Sequence, residues 1–480
     1  MFNMINAKIE VLSKAEIEDI HNSSMEILSK TGLVLNSEDA RLLMQFHGAR
    51  LDGKRVYIPP GLVEKALKAC PSEFTLKSRN PQKALTIGNG APALEATRGS
   101  IYIIDRFGQR RKATTEDFLK LTKLVQTSDV INLNCGGITN PVNISQQALP
   151  AFSMISSAIY TDKPLPGLTL NEAVARECLN LVEITYEGME ANLVLGTISP
   201  ISPLTYDTSD LKAAYVFARS DQPLCVTSCS MAGATTPPTL AGTLAVNNAE
   251  ILAGIVLIQL IREGTPVVYG NLSSITDMRH INMATGAPEG ALLQLAAKQV
   301  ARYYSLPFRG GGALNDARGV DIQAGYESMM NLILTMMSGF DYVPHAIGML
   351  DSYMSISYEK FIIDEGMLMA VKRLLRGIEV SSETVLTSLV EKVGPGGNYL
   401  TADETALLFR REYWQPVLDT RQPYNAGNAT GVNDLPGRAM DACLTRLDSY
   451  SKPDLATHVE AKLLKYFKDH YGQVETLQLA

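Results

Sequence analysis

Between residues 91 and 380 one pattern repeats eight times. A short apolar run rich in β-formers ends in Gly, Ser, Asn or Pro, and a helical segment of roughly 12 to 20 residues follows. The runs lie at 93–105 (broken at Arg98 and Gly99), 130–137, 165–170, 193–199, 224–230, 267–271, 308–312 and 343–350. The helical segments follow at 115–126, 148–160, 172–187, 209–218, 239–263, 289–304, 322–337 and 359–377. Strictly alternating β and α units force a largely parallel sheet covered by helices, and eight of them is the number that closes a (β/α)8 TIM barrel. An open doubly wound sheet gives the same alternation, but no dinucleotide fingerprint follows any of the runs, which favours the closed form.

The flanks are of a different character. Residues 1–90 form an α/β lead-in: helical spacing from Ser13 is stopped by Gly32, a second helix starts after Ser37, Pro59 and Pro60 open a third, and 74–78 and 84–88 are short strands. Residues 381–480 form a C-terminal helical appendage with helices at 382–392, 401–411 and 454–471, separated by Gly-rich loops at 394–397 and 423–428. The expected domains are therefore 1–90, 91–380 and 381–480.

With 43 basic and 50 acidic residues the net charge is −7, which argues against a general nucleic-acid binder. The longest apolar stretch, 249–261, is too short to cross a bilayer and contains Glu250, so it is expected to be a buried helix rather than a membrane span. The six cysteines are scattered without metal-site spacing, and no secretory h-region opens the chain, which fits a reduced, cytoplasmic protein. The six histidines are isolated, so no resident metal is expected.

In a barrel of this kind chemistry sits at the carboxyl ends of the strands. Those ends are dominated here by Gly, Ser and Thr, which leave room for a ligand. Gly310, Gly311 and Gly312 are candidates to contact an anion or cofactor, although they match no phosphate-loop spacing. Tyr102, Tyr206, Tyr269, Tyr326 and Tyr353 fall near strand ends, and aromatic faces in a site with few acids suit a quaternary ammonium cation. Gln323 and Glu327 share a helix face at i and i+4, either packing and capping or reaching the site.

Several long motifs recur in a fixed order: Asn315-Asp-Ala-Arg with Asp321-Ile-Gln-Ala-Gly-Tyr-Glu, Gly348-Met-Leu-Asp-Ser, Arg376-Gly-Ile-Glu and Val393-Gly-Pro-Gly-Gly. With Tyr102-Ile-Ile-Asp-Arg-Phe-Gly upstream, the chain closely resembles the trimethylamine methyltransferase family, the MttB-like corrinoid-protein methyltransferases, over nearly its whole length. The resemblance implies a barrel that demethylates a methylamine and passes the methyl group to Co(I) of a separate corrinoid-binding protein, with no cofactor held tightly by this chain.

Founding members carry pyrrolysine in the barrel, whereas this chain has only the twenty standard residues. That departure points to quaternary amines, with glycine betaine first and proline betaine, carnitine or γ-butyrobetaine as alternatives; a barrel that binds betaine or the corrinoid protein without catalysis is a further one. Tyr102, Tyr206, Tyr269 and Tyr353, with Phe308 or Tyr326 as substitutes, are then candidates to wall the ammonium group. Asp316 or Asp351, with Glu327, would supply negative charge, Arg309 or Arg318 would grip a carboxylate, and His345 is a further candidate for ligand contact. No nucleic acid or membrane partner is expected, and a homo-oligomer is compatible with this picture.

Overall fold

The computed structural model of the chain describes residues 9–421, 423 and 434–472. Seven of the eight runs become parallel strands of one curled sheet: β1 (Ala93–Leu94), β2 (Leu165–Pro166), β3 (Val194–Ile198), β4 (Leu224–Ser228), β5 (Val267–Asn271), β6 (Phe308–Arg309) and β7 (Tyr342–Val343). Their spatial order is β1-β7-β6-β5-β4-β3-β2, every neighbour parallel. The run at 130–137 is not a regular strand, yet it touches both edges. Asn132 and Leu133 donate backbone N–H bonds to Leu94 O on the β1 side, and Asn134 donates to Pro164 O beside β2.

Two runs are split. The first leaves the sheet after β1, and Tyr102–Ile104 instead joins Ser355–Ile356 and Arg110–Lys112 in a small sheet at the strands' carboxyl side. The last run likewise divides into β7 and Met349–Leu350, which pairs with Ser355–Ile356 in that same small sheet. Between the strands run the helices Thr115–Thr127, Leu149–Tyr160, Glu172–Tyr186, Thr208–Arg219, Leu240–Ile261, Pro288–Tyr303, Ile322–Met337 and Tyr358–Leu375. Their starts are set by side-chain caps, for example Asn171, Thr239 and Asp321 accepting from the N–H three residues on. The apolar helix Leu240–Ile261 carries no amphipathic stripe because it is covered on nearly all sides.

The lead-in follows the sequence closely. Ser13 caps Lys14–Glu26 in a reciprocal capping box with Glu16, and Gly32 at φ 70° ends the following turn. Phe74–Leu76 and Leu85–Ile87 form an antiparallel hairpin. Phe74, Leu76 and Ile87 pack in one cluster with Ala93, Leu133, Leu195, Cys225, Val268 and Tyr342, so the hairpin closes the amino-terminal end of the curled sheet. Asp162 ties it down, accepting from Asn80 at 3.0 Å and Gln126 at 2.8 Å and pairing with Lys83. Burial pushes the Asp162 carboxyl up, but those hydrogen bonds and the Lys83 charge more than offset this and leave its pKa at about 2.

The native carboxylate therefore binds its proton later than the unfolded one, and its stabilisation is complete above the ordinary value of 3.8 and lost as pH falls through about 2. Asp162→Asn should cost about 1–2 kcal/mol at pH 7, after allowance for its partial exposure. Urea unfolding would show a deficit that closes as pH is lowered from 4 to 2, and a pH-independent deficit would contradict this account.

At the other end of the chain Leu435–Asp448, a helix not expected from the sequence, packs along Tyr358–Leu375, and Thr457–Tyr471 lies against Glu172–Tyr186. Their buried residues Ala439, Cys443, Leu463 and Phe467 belong to the same core cluster as the sheet-covering helices. The expected loop at 423–428 lies, but for Pro423, outside the described residues.

Candidate functional site

Strand alternation decides which side chains face the inside of the curled sheet. Ala93, Leu195, Cys225, Val268 and Tyr342 lie in the interior cluster, so Glu95, Thr197, Thr227 and Gly270, two residues further on, face the same space one layer nearer the strands' carboxyl ends. Arg309 joins them, since a Cβ on its neighbour Gly270 would come within 3.1 Å of Arg309 Cδ and 2.2 Å of Thr227 Oγ1. Glycine at 270 thus lets the arginine cross the neighbouring strand.

This layer is polar and charged. Glu95 accepts from the Tyr342 hydroxyl at 2.5 Å and from Arg98 Nη2 at 2.5 Å. Arg309 is buried, and its Nε and Nη1 have no hydrogen-bond partner. Above them His345 Nδ1 shares a 3.0 Å hydrogen bond with Thr97 Oγ1, and its ring meets Tyr353 edge-on at 4.7 Å between centroids. Burial, then the charges of Arg309 and Arg98, hold the His345 pKa well below its ordinary value, so the imidazole is neutral at pH 7. The Tyr353 phenol is raised by burial and also lacks a hydrogen-bond partner.

Cys229, next after β4, is accessible although burial raises its thiol pKa. Arg98 and Tyr353 are likewise partly exposed. With Glu95 paired to Arg98, Arg309 is left as the uncompensated cation of this layer.

The backbone holds this arrangement under strain. His345 has φ 57°, and Asp351, Ser352 and Tyr353 have φ 55°, 48° and 76°. Left-handed non-glycine residues cost of order 1 kcal/mol each and collect at functional sites. The turn is braced from outside: Gly348 N–H donates at 2.8 Å to Asp364, whose other oxygen binds Lys360 Nζ at 2.5 Å, both side chains being buried.

Of the candidates named from the sequence, Arg309, His345 and Tyr353 come together here. Tyr206, Tyr269 and Phe308 do not. Tyr206 and Tyr269 point into the strand–helix layer, where their hydroxyls donate to Glu250 O and Asn248 Oδ1, and Phe308 stacks on Tyr269 and meets Phe340 edge-on. Tyr326 and Arg318 are exposed at the rim, and half-buried Tyr102 lies under the Arg110 guanidinium at 4.1 Å.

The acidic candidates brace loops. Asp316 accepts from Thr285 N and Oγ1, Gly286 N and Ser352 Oγ. Glu327 accepts from Asp316 N and, across one helix turn as its spacing suggested, from Gln323. Asp351 pairs with Arg110 and Ser355.

Gly310, Gly311 and Gly312 form no cradle. Their N–H groups are spent on Tyr342 O, Gln294 Oε1 and Pro344 O, and a Cβ at any of them would collide with Phe340, Leu314 or Ala346. Sequence reasoning missed Glu95, Arg98, Tyr342 and Cys229. The available signal was a carboxylate two residues past Ala93 inside an apolar strand, a position that must face the interior.

Comparison with known proteins identifies the family. The family model for trimethylamine methyltransferase matches residues 2–473. A glycine betaine methyltransferase of Desulfitobacterium hafniense is 35% identical over 471 residues, 97% of this chain and 98% of that one. A proline betaine:corrinoid methyltransferase of Eubacterium limosum is 33% identical, covering 95% of this chain and 97% of its own length. The crystal structure of the Methanosarcina barkeri monomethylamine methyltransferase, at 12% identity, superposes with a TM-score of 0.55 over 94% of this chain and 91% of that one, a likeness of fold. The chain belongs to the trimethylamine methyltransferase family.

Proposed function

We propose that this protein demethylates a quaternary ammonium carboxylate, glycine betaine foremost, and delivers the methyl group to Co(I) of a partner corrinoid protein in the cytoplasm. The observation that carries it is Arg309: a buried guanidinium with two unpartnered nitrogens, beside a neutral imidazole, in a layer whose one carboxylate is already paired. Leaving such donors unsatisfied costs about 1–3 kcal/mol each, and a substrate carboxylate bound two-pronged along one edge of the guanidinium, through Nη2 and one of them, would recover part of it. Tyr353 and His345 then offer ring faces to the trimethylammonium end, where cation–π attraction replaces hydration.

Zwitterionic betaine matches both ends, whereas trimethylamine would leave Arg309 unpaired. In the transfer the methyl–nitrogen bond breaks with its electron pair going to nitrogen, a neutral tertiary amine leaves, and the two electrons of Co(I) form the new bond to carbon. A quaternary nitrogen needs no prior adduct for this, consistent with a chain of standard residues.

We read the architecture as a closed (β/α)8 barrel with 132–134 as the eighth staple, because that segment bonds to both sheet edges, flanked by the lead-in to residue 90 and the appendage from 381. Around its carboxyl end the loops expose Phe107, Leu170, Ile201, Met278, Ile281 and Met354, an apolar rim suited to a large partner that covers the mouth.

The test is to mix the purified chain with Co(I) cobalamin or its corrinoid protein and each of glycine betaine, proline betaine, carnitine and γ-butyrobetaine, following methylcobalamin by absorbance. No methylation with any quaternary amine would refute the proposal. Tyr353→Phe should change kinetics little because the hydroxyl has no partner, while Tyr353→Ala should raise KM about tenfold through loss of the ring face. Equal kinetics for the two variants would remove Tyr353 from the ammonium site.

A further inference from the structure

The small sheet at the strands' carboxyl side ends in a hairpin whose charge sets it apart. Tyr102–Ile104 and Arg110–Lys112 pair antiparallel, Tyr102 opposite Lys112 and Ile104 opposite Arg110. From 105 to 112 the sequence Asp-Arg-Phe-Gly-Gln-Arg-Arg-Lys carries four cations against one carboxylate, in a chain whose net charge is −7. The rim loop 199–206 has no charged residue, and 274–284 has, besides His280, one aspartate and one arginine.

The hairpin is built to hold its shape. Asp105 closes the turn, accepting from the N–H of Phe107 and of Gln109 at 2.9 Å each, and Gly108 takes φ 76°. Cross-strand partners share a face. One face carries Ile103 and Arg111, which grips Asp117 through two bonds of 2.7 Å. The other carries Tyr102, Ile104, Arg110 and Lys112. On that side Ile104 packs with Ala317, Ala324 and Leu350, and Arg110 pairs at 3.1 Å with Asp351, which begins the turn that holds Tyr353.

At the tip Arg106 lies over the Phe107 ring at 4.7 Å, and Phe107 is 71% exposed. Among the described residues neither Arg106 nor Lys112 enters an ion pair, and both are exposed. Two cations and an aromatic ring thus stand unengaged on a braced element beside the site. A partner with an acidic face is repelled by the chain as a whole and drawn to this basic piece of the rim, which fixes where it lands and how it is turned.

We propose that the hairpin 102–112 is the landing site for an acidic surface of the corrinoid protein, with Arg106 and Phe107 as anchor and Lys112 as steering charge. This rests on the reading that a corrinoid protein accepts the methyl group, and the test separates the two. Methyl transfer from glycine betaine is followed to the corrinoid protein and, separately, to free Co(I) cobalamin, at about 20 and about 300 mM salt. Arg106→Glu with Lys112→Glu is expected to raise KM for the corrinoid protein roughly tenfold at low salt, to lose most of that deficit at high salt, and to leave transfer to free cobalamin unchanged. Arg279→Glu, on the rim loop 274–284, is the control and should shift that KM less than about twofold.

An unchanged KM in the paired variant, an equal shift in Arg279→Glu, or an equal loss with free cobalamin would overturn the proposal while leaving the reaction standing. No transfer to either acceptor by the wild type would overturn the reaction and the proposal with it. Should the paired variant lose its circular dichroism, Arg106→Gln with Lys112→Gln, which removes the charges without reversing them, gives the same decision through a shift of about threefold.

Discussion

Arg309→Ala is expected to lower kcat/KM for glycine betaine at least about 100-fold while changing turnover of tetramethylammonium or choline only a few-fold. Removing one partner of a buried charge pair costs about 2–5 kcal/mol, and each 1.4 kcal/mol is a factor of ten. Arg309→Lys should restore only part of the activity, because an ammonium cannot make the two-pronged contact. Stability supplies the internal control. Without substrate the guanidinium sits buried with two unpartnered nitrogens, so its removal should leave the urea midpoint no lower than wild type. Equal losses with carboxylate-bearing and carboxylate-free cations would show that Arg309 does not grip the carboxylate.

The largest effect on stability is expected from Lys360→Met. Lys360 and Asp364, one turn apart on helix Tyr358–Leu375, form a buried pair, completed by Ser328 Oγ of helix Ile322–Met337 at 2.8 Å from the lysine and by Gly348 N–H on the carboxylate. Breaking such a pair strands a buried charge and costs about 3–5 kcal/mol, whereas replacing both partners is far less costly. Burial already raises the Asp364 pKa, and loss of the lysine raises it further. The variant's native state therefore holds a proton that the unfolded state releases, so its deficit should grow as pH rises above about 4 and shrink on acidification. Recovery of most of the loss in Lys360→Met with Asp364→Leu would identify the pair as the cause. A loss under about 1 kcal/mol in Lys360→Met would refute the assignment.

The fold was largely legible because its signal is a repeated period. Seven of the eight runs chosen for apolar β-character are strands of one parallel sheet, and the flanking helices lie where caps and glycines bound them. What spacing did not reveal was where a run leaves the sheet: 93–105 and 343–350 each serve two sheets, and only tertiary pairing distinguishes the halves.

The candidate site was legible in part: Arg309, His345 and Tyr353, singled out near strand ends and within motifs, are brought together by the fold. Tyr269 and Phe308 were misplaced because nearness along the chain ignores the two-residue period, and each stands one position from an inward-facing residue, Gly270 and Arg309. Asp316 and Glu327 looked like site acids because they are polar residues within a long motif. Their work is to join loops, which short-range spacing does not display.

The hairpin Phe74–Leu76/Leu85–Ile87 gives the reaction a direction of traffic. With the amino-terminal end of the curled sheet filled by its side chains, the proposed reaction would bring the amine and the corrinoid protein in from the same, carboxyl side. A betaine would then have to be seated before the partner covers the rim, and the demethylated amine would stay enclosed until the partner moves off. The order of events in that reaction would be set by a piece of chain that no reactant touches, and steady-state kinetics should show a sequential pattern in which excess corrinoid protein traps the product amine and slows turnover.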